Sequence, residues 1–123
     1  MEVKYVIPPV NGFLQINLDQ KVIDYLWHII NIAKSKNNNF KSNLVGNISQ
    51  SLLLDDTDSF FYKSVCIPLV KYYREANPLG IDPVAQNALL GMKTTLVLNQ
   101  LWVNYQYETE FNPYHDHSGV YSF

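Results

Sequence analysis

The sequence predicts an α+β chain on three observations: a helix-period apolar stripe follows Leu18, a second follows Asp58, and a β-rich run begins near Lys93. The helical part is expected over about residues 17–92 and the strands over about 93–123, in a single domain. Of the 123 residues, 47% are hydrophobic and 14% aromatic, which supplies enough apolar surface to offset the entropy of ordering a core.

The elements follow in order. Residues 3–7 and 13–16 are strand-like and are separated by Pro8-Pro9 and Asn11-Gly12, so an opening hairpin or a pair of edge strands is expected. Asn17 stands three residues before Gln20, a capping-box-like spacing, and Val22, Leu26, Ile29 and Ala33 recur at steps of three or four. These predict an amphipathic helix over about residues 18–36, with Lys34 and Lys36 in the last turn, where cations favour the helix dipole, and Asn37-Asn38-Asn39 as its end. Residues 43–54 contain Gly46 and short apolar runs, the pattern of a strand or a loop around the glycine.

A second helix is expected after the acidic loop Asp55-Asp56-Thr57-Asp58, with Asp58 as N-cap and Phe61, Val65, Leu69 and Tyr72 on one stripe. Pro68 lies within it, lacks a backbone donor and crowds the carbonyl of Ser64, so a kink or two short helices are expected; Asn77-Pro78 stops the run. Residues 94–98 lead into 101–107 as a long strand. Residues 108–113 are turn-like, and 119–123 begin another strand. There is no internal repeat or low-complexity linker.

Nine Lys+Arg against eleven Asp+Glu leave a net charge of −2, too little positive field for nucleic-acid binding by electrostatics. Cys66 is the single cysteine and cannot form an internal disulfide; in its apolar stretch it reads as a small buried thiol in a reducing compartment. The chain starts without a basic segment followed by a long apolar run, and nothing approaches about 18 consecutive apolar residues. A soluble, cytoplasmic protein without a membrane segment is expected.

The stretch richest in chemistry is Asn112-Pro113-Tyr114-His115-Asp116-His117-Ser118-Gly119. If residues 115–117 are extended, the period of two puts both imidazoles on one face and Asp116 on the other. Two ring nitrogens can then converge on one metal, and a third ligand must come from elsewhere in the fold. The competing reading is a pair of solvated loop histidines beside a turn. His28, next to Trp27 on the first helix, reads as a packed or half-exposed imidazole rather than a ligand. Asn104 and Gln106 lie on one side of the preceding strand, where such side chains can hydrogen-bond a carboxylate-bearing small molecule, or simply form a half-exposed strand face. Glu108, Glu110 and Asp116 make an acidic patch that a solvated turn also explains. No Gly-rich phosphate loop, Gly-x-Ser-x-Gly or Cys-x-x-Cys occurs, and Cys66 in its apolar setting reads as inert rather than as a nucleophile.

The run from Trp102-Val103-Asn104-Tyr105 through Asn112-Pro113-Tyr114-His115-Asp116-His117 to Phe123 resembles the 2-oxoglutarate- and Fe(II)-dependent oxygenases found often in marine bacteria and their phages, in which an Asn-Pro-x-His-x-His segment leads into a Gly-containing strand of a double-stranded β-helix. Asn43-Leu44-Val45-Gly46-Asn47-Ile48 resembles a Leu-Ala-Gly-Asn-Ile-type element that precedes the barrel in the same family. The matched segments span 28 of the 123 residues. The resemblance implies N-terminal helices packed on part of a double-stranded β-helix (jelly roll), incomplete at the C-terminus. By position it makes His115 the first iron ligand and His117 the second, although the wider superfamily has a carboxylate there, which keeps Asp116 open as the alternative. Asn104 and Gln106 stand eleven and nine residues before His115, where some branches carry Asn-x-Tyr against the cosubstrate; Gln106 departs from that tyrosine.

The superfamily draws a distal histidine and a basic residue for 2-oxoglutarate from later strands, and this sequence ends at Phe123. The expectation is therefore the N-terminal part of an oxygenase of hydroxylase type, weakly active or inactive alone, with Fe(II) and 2-oxoglutarate as cofactor and cosubstrate and an unidentified small-molecule or protein substrate. The last strand would leave an apolar edge, an expected site for a homo-oligomer contact. Two alternatives stand beside it. One is a non-enzymatic assembly or binding protein that uses this edge and its tyrosines as an interface. The other is a cupin-type metal enzyme, in which a glutamate would stand about where Tyr121 is.

Overall fold

A computed structural model describes residues 14–43, 46–76, 96–114 and 121–122. Helix α1 (Gln20–Ser35) is followed by a 3-10 turn (Lys41–Asn43), strand β1 (Gln50–Leu53), a π-helical turn (Tyr62–Cys66), helix α2 (Ile67–Ala76) and strand β2 (Trp102–Tyr105). The expected strand at 3–7, the first two residues of that at 94–98 and most of that at 119–123 lie outside the described residues, and Leu96, Val97 and Leu98 are not in a strand. Leu14, Gln15 and Ile16 precede α1 without joining a strand, and neither Tyr121 nor Ser122 is in one.

In α1 the expected stripe is the buried face: Val22, Ile29, Ile30 and Ala33 are buried and Leu26 packs against the core. Its start differs from the capping-box expectation. Asp19, not Asn17, is the N-cap, without a side-chain cap, and the Gln20 amide donates instead to Asp24 at 2.8 Å. Its end follows from Asn37, whose φ of 49° is a left-handed conformation that asparagine tolerates. Asn38 N–H then bonds the Ala33 carbonyl and Asn37 N–H the Lys34 carbonyl, the paired closure that satisfies the last turn.

The second helical run is capped by Asp56 rather than Asp58. Its two carboxylate oxygens accept the N–H groups of Phe61 at 3.0 Å and Tyr62 at 2.9 Å, while its backbone carbonyl accepts Ser59 N–H at 2.7 Å. Asp56 Oδ1 also accepts the Tyr25 hydroxyl at 2.6 Å, so one carboxylate ties α1 to the start of the next helix. Burial pushes the Asp56 carboxyl up, but the Tyr25 hydroxyl and the amides of Tyr62, Phe61 and Phe60 more than offset that and hold it below the ordinary carboxylate range. Burial, followed by the hydrogen bond to Asp56, raises the Tyr25 phenol well above its usual value.

Pro68 does not break the run into two helices. The turn before it opens into a π turn, in which Ile67 N–H bonds the Tyr62 carbonyl five residues back. The wider turn accommodates the proline ring against the carbonyl of Ser64, and the extra residue rotates the following face. Phe61 and Val65 are buried and Leu69 packs on the core, but Tyr72 is 62% exposed and Tyr73 is half-buried, its ring edge-on to Tyr121.

The sheet reaches back into the part of the chain expected to be helical. β1 pairs antiparallel with β2 in the register Gln50 with Tyr105, Ser51 with Asn104, Leu52 with Val103 and Leu53 with Trp102. On its other edge, Phe40 N–H bonds the Ser51 carbonyl at 2.9 Å and Leu53 N–H the Asn38 carbonyl at 3.0 Å, so β1 is flanked on both sides. Leu52, Val103 and Tyr105 pack in the same core as the buried face of α1, and the Lys34 ammonium sits 4.4 Å from the Tyr105 ring centre. Trp102 and Ser51 lie on the opposite face, where Trp102 stacks on the buried Phe40 at 5.8 Å. The long strand expected over 101–107 is four residues, and a tight turn begins after Gln106. A jelly roll needs about eight strands; the described residues contain two. No helix among the described residues is long and apolar enough to cross a membrane.

Because Asp56 joins two elements, Asp56→Ala is expected to cost about 2–4 kcal/mol in urea unfolding, the sum of a lost cap and a lost charged hydrogen bond. The sign of the pH dependence follows from the two shifts. The Asp56 contribution is complete above the ordinary carboxylate value and lost as pH falls below about 4, and the Tyr25 contribution is complete below about pH 10 and lost above it. Urea titrations across pH should show both limbs, with the acid limb flattened in Asp56→Asn.

Candidate functional site

After β2 the chain turns sharply before approaching the histidines. Glu110 N–H bonds the Tyr107 carbonyl at 3.0 Å, and the Glu110 carboxylate accepts Tyr107 N–H at 3.0 Å through Oε2 and the Ser49 hydroxyl through Oε1. The Gln106 amide donates to the Glu110 carbonyl at 2.6 Å. Glu110 therefore closes the turn on itself and ties it to the residue preceding β1.

Beyond this turn, Asn47 and Phe111 form an antiparallel bridge, with N–H to carbonyl distances of 2.9 and 3.2 Å in the two directions. Its register is three residues off that of the β1–β2 ladder, so residues 106–110 are a loop let into the pairing. Gly46 makes the approach sterically feasible. Its φ is +135°, and a Cβ there would stand 2.3 Å from Asn112 Oδ1 and 3.0 Å from the Phe111 carbonyl oxygen. The segment around Gly46 and Asn47 is thereby held against Phe111 and Asn112.

Of the four residues singled out from the sequence, Asn104 and Gln106 are described and His115 and His117 lie outside the described residues, as does Asp116. Asn104 is exposed on β2, and its Oδ1 accepts the hydroxyl of the fully buried Ser51 at 2.7 Å. That contact orients the amide with its Nδ2 donors away from Ser51. Gln106 is beyond the end of β2, and its amide nitrogen is committed to the turn. The two have different partners, the Ser51 hydroxyl on β1 and the Glu110 carbonyl in the turn.

His28 is exposed on α1 and lines a shallow recess of about 170 Å³ with Asp55 and Asp58. A larger cleft of about 540 Å³ opens between Leu53, Asp55, Ser59, Tyr62, Leu98 and Asn99, and holds no histidine. Among the described residues, no three His, Cys, Asp or Glu side chains converge as a metal site. Cys66 is half-buried, and burial, followed by the charge of Asp56, pushes its thiol up to about 11.

Sequence reasoning assigned Glu110 to a solvated acidic patch and did not identify Asp56 as the cap. A glutamate three residues after the start of a turn is a compatible signal, but its partner Ser49 is 61 residues away and no local pattern announces it.

Two outcomes follow. Gly46→Ala is expected to cost about 1–3 kcal/mol in thermal unfolding, through left-handed strain and the lost bridge, and to speed hydrogen exchange at the Phe111 amide. Cys66 should react with iodoacetamide at pH 7 about a hundredfold more slowly in the folded chain than in urea, since its thiolate fraction is that much smaller.

Compared with protein-family models, with curated proteins and with solved structures, the chain matches none.

Proposed function

We propose that this chain carries part of the site of an Fe(II)- and 2-oxoglutarate-dependent oxygenase of hydroxylase type, built on part of a double-stranded β-helix. The observation that supports the reading is the pairing of Gly46 and Asn47 with Phe111 and Asn112. These belong to the two segments on which the resemblance rests, and they are more than sixty residues apart in sequence. An imidazole pair with a third oxygen or nitrogen donor suits Fe(II), which when bound supplies oxygen activation and the oxidative decarboxylation of 2-oxoglutarate. In this reading His115 and His117 hold the metal.

The chain's own contribution is orientation. Ser51, buried on β1 directly opposite Asn104, holds the Asn104 carbonyl oxygen, which leaves the amide hydrogens to donate to a carboxylate. Gln106 has one of its two amide hydrogens engaged by Glu110, so its part in cosubstrate binding is at most a single donor and the free side of its carbonyl.

A second reading, an assembly or binding module, is favoured by a different observation. Tyr107, Phe111 and Tyr114, which precede the histidines in sequence, are exposed, and Tyr114 is fully so. An interface rich in tyrosine is the type of surface that buries such side chains. A homo-oligomer contact at this end of the chain belongs to that reading.

Anaerobic Fe(II) calorimetry with and without 2-oxoglutarate separates the two. The oxygenase reading expects Fe(II) binding that weakens at least about tenfold in His115→Ala and in His117→Ala, and tightens when 2-oxoglutarate is present. Fe(II) affinity indifferent to both histidines would overturn it, and a concentration-dependent mass in light scattering would then favour the assembly module.

A further inference from the structure

We propose that the cleft of about 540 Å³ between the end of β1 and the segment entering β2 binds a small organic cation, an ammonium group carried on an alkyl or aromatic body; this is independent of the metal-binding reading above. Every residue lining the cleft is among those described. Its volume is that of a small-molecule site, and its lining is mixed in character, as such sites are. The buried Leu54 and Leu101 and the half-buried Leu53 and Leu98 supply the apolar part.

Two hydrogen bonds frame the cleft. Leu54 N–H bonds the Leu101 carbonyl at 2.8 Å, and the Tyr62 hydroxyl donates to the Leu96 carbonyl. Residues 97–100 are fastened at both ends, and Leu98 between them packs against the core. The hollow is therefore built before a ligand arrives, which spares binding the entropy of ordering its walls. Tyr62 opens the π turn, and Ser59, also in the lining, has a φ of 53°, a left-handed conformation that serine rarely adopts. π turns and left-handed non-glycine residues concentrate at functional sites, and here both border one cleft.

The charge of the lining is one-sided. It includes Asp55 and Asp56 and no Lys, Arg or His. Both oxygens of Asp56 accept hydrogen bonds, from Tyr25 and from the Phe61 and Tyr62 amides, so this carboxylate acts on a ligand through its field. Asp55 is the contact group. It is exposed and makes no hydrogen bond or ion pair among the described residues, although it also borders the smaller recess lined by His28 and Lys36. The exposed Asn99 and Gln100 add amide carbonyls that accept from an ammonium. An anion would meet uncompensated repulsion here, and a neutral molecule would gain the apolar contact alone.

The probe is n-hexylammonium, with n-hexanol and hexanoate as its neutral and anionic counterparts, titrated at neutral pH and low salt into the isotope-labelled full chain and followed by amide NMR. The expected result is saturable shifts centred on Ser59, Leu98 and Leu101, with a Kd on the order of 1–10 mM that is about threefold tighter than for hexanol and tighter still than for hexanoate. Asp55→Asn removes the contact charge and Asn99→Arg sets a cation on the rim, both at exposed positions. Each is expected to weaken hexylammonium about threefold with helix content and melting retained, and Asp55→Asn to leave hexanol binding unchanged. Shifts that do not saturate, or that scatter over the surface, would overturn the site. Equal affinity for the three probes, or for hexylammonium in the wild type and both variants, would overturn its selection of a cation.

Discussion

The Asp56 carboxylate is the point on which the helical half depends. It accepts a hydroxyl from α1 and two amides from the first turn of the second helical run. Helix ends leave orphan N–H groups that need a partner, and a charged acceptor satisfies them more strongly than a neutral one. Once Tyr25 is fastened there, its ring lies 4.7 Å from Phe60, and the buried faces of α1 and of Phe61 and Val65 converge on Leu52 and Leu54. The apolar core supplies the larger energy, but the carboxylate sets the angle at which its two helical sides meet.

A second carboxylate does comparable work at the other end of the sheet. Glu110 organises a loop let into the ladder, where Asp56 organises a helix start, and both act by collecting backbone amides that would otherwise face solvent or nothing. Both were visible in the sequence only as acidic residues in turn-like stretches. What distinguishes a structural carboxylate from a solvated one is its partner, and here the partners are Tyr25 and Ser49, 31 and 61 residues distant.

The amphipathic period of α1 was legible because four buried residues recur on one stripe and an asparagine run closes it. The second helix was legible as far as Leu69, and then the stripe slipped by one residue, because a propensity argument about Pro68 predicts disruption without predicting the form it takes. β1 was only half legible: Gln50–Leu53 lacks clean alternation, as expected for a strand flanked on both edges and covered on both faces. For the candidate site, residue types could be read from spacing, and Asn104 does stand on a strand with an oriented amide. The contact between the Gly46 and Asn112 segments could not, since it depends on a three-residue change of register that has no sequence signature of its own.

The π turn has a consequence for how this chain can vary. A π turn holds one residue more than an α turn over the same rise, so deleting any one residue between Tyr62 and Cys66 would restore ordinary winding and turn α2 by about 100° about its axis. Tyr73 and Arg74 would then face away from Tyr121, and Pro68 would again press on the carbonyl four residues before it. Length in this turn and the identity of residue 68 are therefore linked. A shortened homologue would be viable with a residue other than proline at that position, and with a different surface of α2 presented to the C-terminal tyrosine.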